Sequence, residues 1–233
     1  MLFTRLLQQI PSQCAVCRSW GEQAVCAACH HRFASPASRC GRCASRVSPG
    51  VLACGACIVN PPAFDGALAG VDYAHPWSAL ITQFKFHAAL DLAPALSQLL
   101  QTARQRADTP APDLLLPVPL SAERLRERGF NQAWELTRRL GRALTIRSDA
   151  QLLLRVKDSL HQLALPPEER AANVRGVFAV EPLRRAELNG LSVAVVDDVM
   201  TTGATFGEIA RVLKQAGASR VEAWALARTP RPA

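Results

Sequence analysis

Residues 193–205, VAVVDDVMTTGAT, run four apolar residues into two adjacent aspartates and then into a loop of threonines around a single glycine. A buried strand gains nothing from ending in two like charges, and a plain turn rarely needs three threonines. A ligand with hydroxyls to be accepted and phosphate oxygens to be donated to accounts for both halves. The apolar run reads as a strand, the loop as a Gly-containing turn, and the periodic stretch from Ala204 onward as a helix.

Working outward, apolar runs alternate with longer amphipathic stretches from residue 61 on. Strands are expected at 66–73, 113–118, 151–156, 177–180, 192–196 and 220–227, and helices at 76–87, 92–105, 131–144 and 204–215, the last stopped by Gly217. This alternation predicts an α/β domain with a largely parallel sheet flanked by helices. Ligands of such sheets bind beyond the carboxyl ends of the strands, where Asp197 and Asp198 are expected. The segment "NPPAF" marks a boundary of extended chain, dividing residues 1–60 from 61–233.

All eight cysteines lie between Cys14 and Cys57, as four C-x-x-C pairs: Cys14/Cys17, Cys26/Cys29, Cys40/Cys43 and Cys54/Cys57. Each pair puts two thiolates on one tight knuckle, and two facing knuckles complete a tetrahedral S4 zinc site, so two structural Zn²⁺ ions are expected. A disulfide framework suits exported chains, and "MLFTRLLQQIP" has no long apolar core or small-residue cleavage site. No run of about 18 apolar residues is present, so no membrane span and a cytoplasmic location are expected. Sequential pairing of the knuckles competes with an interleaved cross-brace, and the short gaps favour the sequential arrangement. His30 and His31 are expected as solvent-facing loop residues, since four thiolates fill the neighbouring site.

The formal net charge of +8 and pI near 9.5 overstate how basic the folded protein is. Each Zn(Cys)4 centre carries −2, and two of them lower +8 to +4. Bare charge is therefore weak support for nucleic-acid binding. The arginine-rich stretches "SAERLRERGF" and "LTRRLGR" also fit solvated helix faces.

At the opening stretch, the N–H groups of Thr201 to Thr205 and the dipole of the following helix suit a phosphate, Gly203 permits close approach, and Asp197 and Asp198 suit a vicinal diol. Phosphate plus diol describes a ribose 5-phosphate. A capped helix after a charged strand end would explain one aspartate and one threonine only.

The pattern resembles the phosphoribosyl-pyrophosphate (PRPP) signature of type I phosphoribosyltransferases. The whole chain, knuckles included, resembles the ComF family of bacterial competence-associated proteins, near its gluconate-locus and DNA-utilisation members. "QFKFH" (83–87), "PVPLSAERLRERGFNQA" (117–133), the spaced Arg155, His161, Gln162, Arg170 and Asn173, and a terminal strand ending in "ALAR" carry the resemblance. It implies a type I phosphoribosyltransferase-like sheet behind a small N-terminal double zinc ribbon. It implies PRPP or ribose 5-phosphate held by Asp197, Asp198, Val199, Met200, Thr201, Thr202, Gly203, Ala204 and Thr205, with Asp198 as the catalytic candidate. Arg124 and Arg128 would meet pyrophosphate in a loop after "LLLPVP", with Mg²⁺ neutralising the leaving group; Arg126 would join them or pair with Glu123 and Glu127. Residues 157–175, including Pro166, Pro167, Glu168 and Glu169, correspond to a lid. Thr201 stands where purine-salvage enzymes carry an aspartate that acts on the base, so that route of activation is missing and the acceptor is unassigned. The implied role is in DNA uptake or use, with single-stranded DNA and uptake-machinery proteins as partners. The alternative is a zinc-ribbon DNA-binding or adaptor protein whose phosphoribosyl pocket is regulatory or inactive. Few aromatics, Trp20 and Phe33, are offered by the knuckles for base stacking.

Overall fold

A computed structural model describes residues 12–157 and 176–230. In chain order its strands are β1 (Ser12–Gln13), β2 (Trp20–Gly21), β3 (Gly66–Asp72), β4 (Leu114–Pro117), β5 (Arg147–Ser148), β6 (Leu153–Arg155), β7 (Phe178–Val180), β8 (Ser192–Met200) and β9 (Arg220–Arg228). The α-helices are α1 (Ala27–Phe33), α2 (Gly55–Val59), α3 (Trp77–Phe86), α4 (Ala93–Arg106), α5 (Ala122–Arg128), α6 (Gln132–Leu144) and α7 (Ala204–Gln215). Five strands form one sheet in the order β3-β9-β8-β4-β5, and every neighbouring pair is parallel.

The two faces of the sheet follow from side-chain alternation. Leu115, Ala194, Val196 and Trp224 point to one face, where they meet Leu80, Ile81 and Phe84 of α3, Leu96 and Leu100 of α4, and Leu136 and Leu140 of α6. Leu114, Leu116, Val193, Val195, Ala223 and Ala225 point to the other, against Phe206, Ile209 and Leu213 of α7. Strands apolar on both sides are what a parallel sheet covered by helices requires. Gly70 lets α4 approach closely, because a Cβ there would stand 3.0 Å from the Leu226 carbonyl oxygen and 3.1 Å from Leu99.

The strand pairing and the arginine stretch differ from the sequence expectations. Segments 151–156 and 177–180 do form strands, but β6 and β7 pair antiparallel with each other in a separate sheet. The edge of the main sheet is instead the two-residue β5, too short to carry a periodic signal. The arginine stretch after "LLLPVP" is not a loop but the short helix α5, capped by Ser121, whose Oγ accepts from the Arg124 N–H, and ended by Gly129 at φ 77°.

The cysteine-bearing segment lies against this layer. Cys14, Val25 and Cys29 share the apolar cluster of Trp77, whose Nε1 donates to the Phe33 carbonyl at 2.7 Å. His30 is not a loop residue; it lies on α1, half-buried, with its ring 5.4 Å from that of Trp77. His31, on the same helix, is exposed. Further along, the Ala67 N–H donates to the Gly41 carbonyl at 2.8 Å, so the second pair of knuckles covers the outer edge of β3. No helix among the described residues is long and apolar enough to cross a membrane.

Candidate functional site

Strand β8 continues past Val196 to Met200, so Asp197 and Asp198 are strand residues rather than loop residues. Asp197 stands opposite Ala225 of β9 and is half-buried; Asp198 is 2% exposed. Each carboxylate accepts from the next backbone N–H: Asp198 N–H to Asp197 Oδ1 at 2.8 Å, and Val199 N–H to Asp198 Oδ1 at 2.9 Å.

Cations converge on this pair from two helices. Lys85 of α3 places Nζ 2.8 Å from Asp198 Oδ2. Burial works against the Lys85 charge, yet Asp198 and Asp197 outweigh it and raise its pKa. Arg128 of α5 feels both acids and hydrogen-bonds Gln132 Oε1, with its guanidinium 5.2 Å from the centre of the Phe86 ring. The acids are differentiated as a result. Burial, then the adjacent Asp198 charge, push Asp197 well above the usual carboxylate range. Burial acts the same way on Asp198, but Lys85 outweighs it and holds that carboxyl below its ordinary value. Two neighbouring carboxylates so tuned offer a committed acceptor beside one that retains a proton readily.

Beyond Met200 the chain turns into α7. Thr201 and Thr202 are exposed, and Gly203, Ala204 and Thr205 are half-exposed. Gly203 takes φ 87° as the residue before the helix, and the Ala204 N–H donates to Thr202 Oγ1 at 3.3 Å. Among the described residues no hydrogen bond engages the N–H groups of Thr202 and Gly203. Val199 is half-buried, and the Met200 side chain is 1% exposed in the core, which leaves its backbone for the loop. Arg228, at the end of β9, is 2% exposed and donates to the Met200 carbonyl at 3.0 Å and to the Thr201 carbonyl.

Of the expected pyrophosphate arginines, Arg124 and Arg128 lie one turn apart on α5, both half-buried, whereas Arg126 is exposed. No ion pair joins Arg126 to Glu123 or Glu127 among the described residues. Residues 158–175, with His161, Gln162, Arg170, Asn173 and most of the expected lid, lie outside the described residues. Lys85, Gln132 and Arg228 fall within the stretches QFKFH, PVPLSAERLRERGFNQA and ALAR that carry the resemblance, but the sequence alone assigned them no role. Lys85 carried a signal, a lysine between two phenylalanines of an amphipathic helix.

The cysteines gather sequentially, Cys14, Cys17, Cys26 and Cys29 in one cluster and Cys40, Cys43, Cys54 and Cys57 in the other, with each cluster's sulfurs within 4.8 Å of one another. The Cys17–Cys26 and Cys43–Cys54 sulfur pairs are 3.7 Å apart. A tetrahedral ion with bonds of about 2.3 Å requires sulfurs about 3.8 Å apart, so the clusters fit zinc. The Cys26 N–H donates to Cys14 Sγ and the Cys54 N–H to Cys40 Sγ, both at 3.3 Å, the partners a thiolate ligand needs. Burial pushes the Cys29 thiol up to about 12, and Cys57 goes the same way. On Cys14 burial is outweighed by backbone donors, which bring it down to about 6. Four thiols so close do not all ionise together without a cation, and each cluster could hold one zinc ion. Trp20 of the first cluster's segment is 71% exposed, but Phe33 is half-buried against the sheet domain.

No model of a protein family matches this chain. The DNA utilization protein YhgH of Salmonella typhi is 34% identical over 230 residues, covering 94% of this chain and 98% of its own length. Competence protein F of Haemophilus influenzae is 31% identical over 223 residues, covering 93% and 96%. Competence protein ComFC of Bacillus subtilis is 27% identical over 150 residues, 64% of this chain and 58% of its own. Among solved structures, the glutamine PRPP amidotransferase of B. subtilis is similar with a TM-score of 0.42 and 18% identity, over 63% of this chain and 30% of that one. An adenine phosphoribosyltransferase from Leishmania donovani gives 0.39 and 17%, over 68% and 70%. Similarity to YhgH and to competence protein F along nearly the whole chain shows that this protein belongs to the ComF family.

Proposed function

We propose that this protein binds PRPP, with Mg²⁺, at Asp197 to Thr205, and that it serves DNA uptake or utilisation in the cytoplasm. The supporting observation is the juxtaposition at the end of β8. A cation-tuned acid pair, Asp198 buried and Asp197 half-buried, leads directly into a glycine turn whose N–H groups head α7. The acids accept from the ribose hydroxyls, and the turn donates to the 5-phosphate. Arg124 and Arg128, one turn apart on α5, are the groups this reading assigns to the pyrophosphate, because guanidinium groups bind phosphate oxygens in pairs. Mg²⁺, when bound with PRPP, supplies further positive charge at the leaving group. In this reading residues 1–60 form a double zinc ribbon and residues 61–233 the phosphoribosyl-binding unit. The cellular role follows the names of the relatives, a DNA utilization protein and competence proteins.

Transfer of the phosphoribosyl group to an acceptor is the catalytic extension of this reading. Thr201 in place of an aspartate directs the search toward acceptors that need no activation by that residue. The deciding experiment incubates the protein with PRPP and Mg²⁺ in a calorimeter, then with nucleobases and single-stranded DNA while pyrophosphate is assayed. Saturable heat with PRPP supports the binding reading, and pyrophosphate release dependent on one acceptor class identifies the reaction. No heat at millimolar PRPP removes the proposal.

A further inference from the structure

Arg228 joins two parts of the chain that the sequence holds far apart. Its Nε donates to the carbonyl of Cys43 at 2.9 Å, and its Nη1 donates to the carbonyls of Met200 at 3.0 Å, Thr201, and Thr229 at 2.9 Å. Strand register puts it there: Arg228 is opposite Met200 of β8 on one side and Asp72 of β3 on the other. Cys43 is a ligand position of the second cysteine cluster, and Met200 and Thr201 begin the turn into α7. The same knuckle is held again by Arg39, which bonds the Ala44 carbonyl at 3.0 Å and lies 2.8 Å from Asp72 Oδ1. The first cluster's segment meets the fold elsewhere, through Trp77 and the Phe33 carbonyl.

The geometry of the turn depends on these bonds. A peptide unit is planar and trans, so its N–H points opposite to its carbonyl. Fixing the Met200 and Thr201 carbonyls on the guanidinium therefore aims the N–H groups of Thr201 and Thr202 away from it. Those are groups that the phosphate reading requires to be presented outward. A buried guanidinium is tolerated only while its donors are matched, so the carbonyl of Cys43 and the carbonyls of the turn are held as one set.

We propose that Arg228 is a positioning residue that couples the phosphate turn to the second cysteine cluster, so that phosphate binding and zinc retention at that cluster reinforce each other. The coupling rests on the phosphoribosyl reading of the turn, and it is reciprocal by linkage. A ligand that orders the turn slows zinc loss from Cys40, Cys43, Cys54 and Cys57, and leaves the Cys14, Cys17, Cys26 and Cys29 cluster unaffected.

The test uses the zinc-loaded full chain, with ribose 5-phosphate as probe and a chromophoric chelator to follow metal release. In the wild type, saturating ribose 5-phosphate slows release of one zinc ion and not the other. In Arg228→Met that ion leaves faster without ligand, its release no longer responds to ligand, and ribose 5-phosphate binds on the order of tenfold more weakly, as expected for loss of charge-assisted hydrogen bonds. Arg228→Lys, which keeps the charge but not the fork of donors, falls between the two. Wild-type protein that binds ribose 5-phosphate with no change in either release rate overturns the coupling without using any variant, as does Arg228→Met binding like the wild type. Wild-type protein that binds neither ribose 5-phosphate nor PRPP with Mg²⁺ instead removes the phosphoribosyl reading and the coupling with it. The ligand-free release rates then still decide whether Arg228 supports the second cluster.

Discussion

Lys85 and Asp198 form an ion pair at 2.8 Å between the helix α3 and the central strand β8, with the acid 2% exposed. An acid so deeply placed keeps its charge only because a cation reaches it through the helix layer.

Lys85→Met should therefore lower stability by about 1–3 kcal/mol, less than for a fully buried pair because the lysine is partly solvated. Adding Asp198→Asn to that variant should restore part of the loss, since no uncompensated buried charge remains. Urea denaturation of the wild type, both single variants and the double variant measures this. A double variant less stable than Lys85→Met would contradict the pairing argument.

Ligand binding gives a separate expectation. Asp198→Asn replaces an acceptor with an amide that donates, and should weaken PRPP by about 1–3 kcal/mol. Gly203→Val should weaken it more, because φ 87° is an outlier for a β-branched residue. A Cβ at Gly203 would stand 3.5 Å from Phe64 and 3.9 Å from Met200, which is ordinary contact. The penalty thus arises from the backbone rather than from crowding within the protein. Calorimetric titration of folded, zinc-replete variants reads both, and wild-type affinity in either would refute the assignment of these residues.

Acid stability should depend on a cluster at the sheet edge. Arg184 bonds both Asp149 and Glu187, and Arg147 bonds Glu187, tying the end of β5 to the turn before β8. Hydrogen bonds from Arg184, then Arg147, lower the Glu187 pKa from 4.5 to about 2. A depressed carboxyl stabilises the fold above its unfolded value and loses that effect as pH falls through the folded one. Glu187→Gln should melt below the wild type at pH 7, with the gap closing between pH 4.5 and about 2. A gap independent of pH across that range would assign the effect to something other than the charge.

Metal content should be close to two zinc ions per chain, with one per cluster. Chelation should lower the melting temperature, because the knuckles have little apolar core of their own and lie on the Trp77 cluster and the edge of β3. Elemental analysis and thermal melts with and without chelator measure both. Eight reactive thiols on metal-free protein that melts unchanged would exclude a structural role.

Much of this was legible in the sequence because the signals are local. The C-x-x-C spacing and short gaps indicated the sequential clusters, and apolar runs ending at Asp197 indicated a strand at the site. The misreadings have physical causes. Strands β6 and β7 look like sheet strands because both have apolar residues, while their partner is fixed only by tertiary contact. Helix α5 carried its cap signals in Ser121 and Gly129, but the expectation of a loop overrode them. The stretches holding Lys85 and Arg228 were visible, but their roles depend on partners more than 25 residues away in sequence, Asp198 and Met200, which a motif does not name.

The position of β9 has a kinetic consequence. It lies between β3 and β8, so Gly66 waits for Glu222 before its strand is paired. While the ribosome is still making the intervening chain, β3 and β8 each present an unpaired hydrogen-bonding edge. Chains with such long-range parallel pairing fold slowly and expose surfaces that self-associate. Synthesis stalled before Arg220 should therefore leave an aggregation-prone product, even if the cysteine knuckles have already taken up their metal.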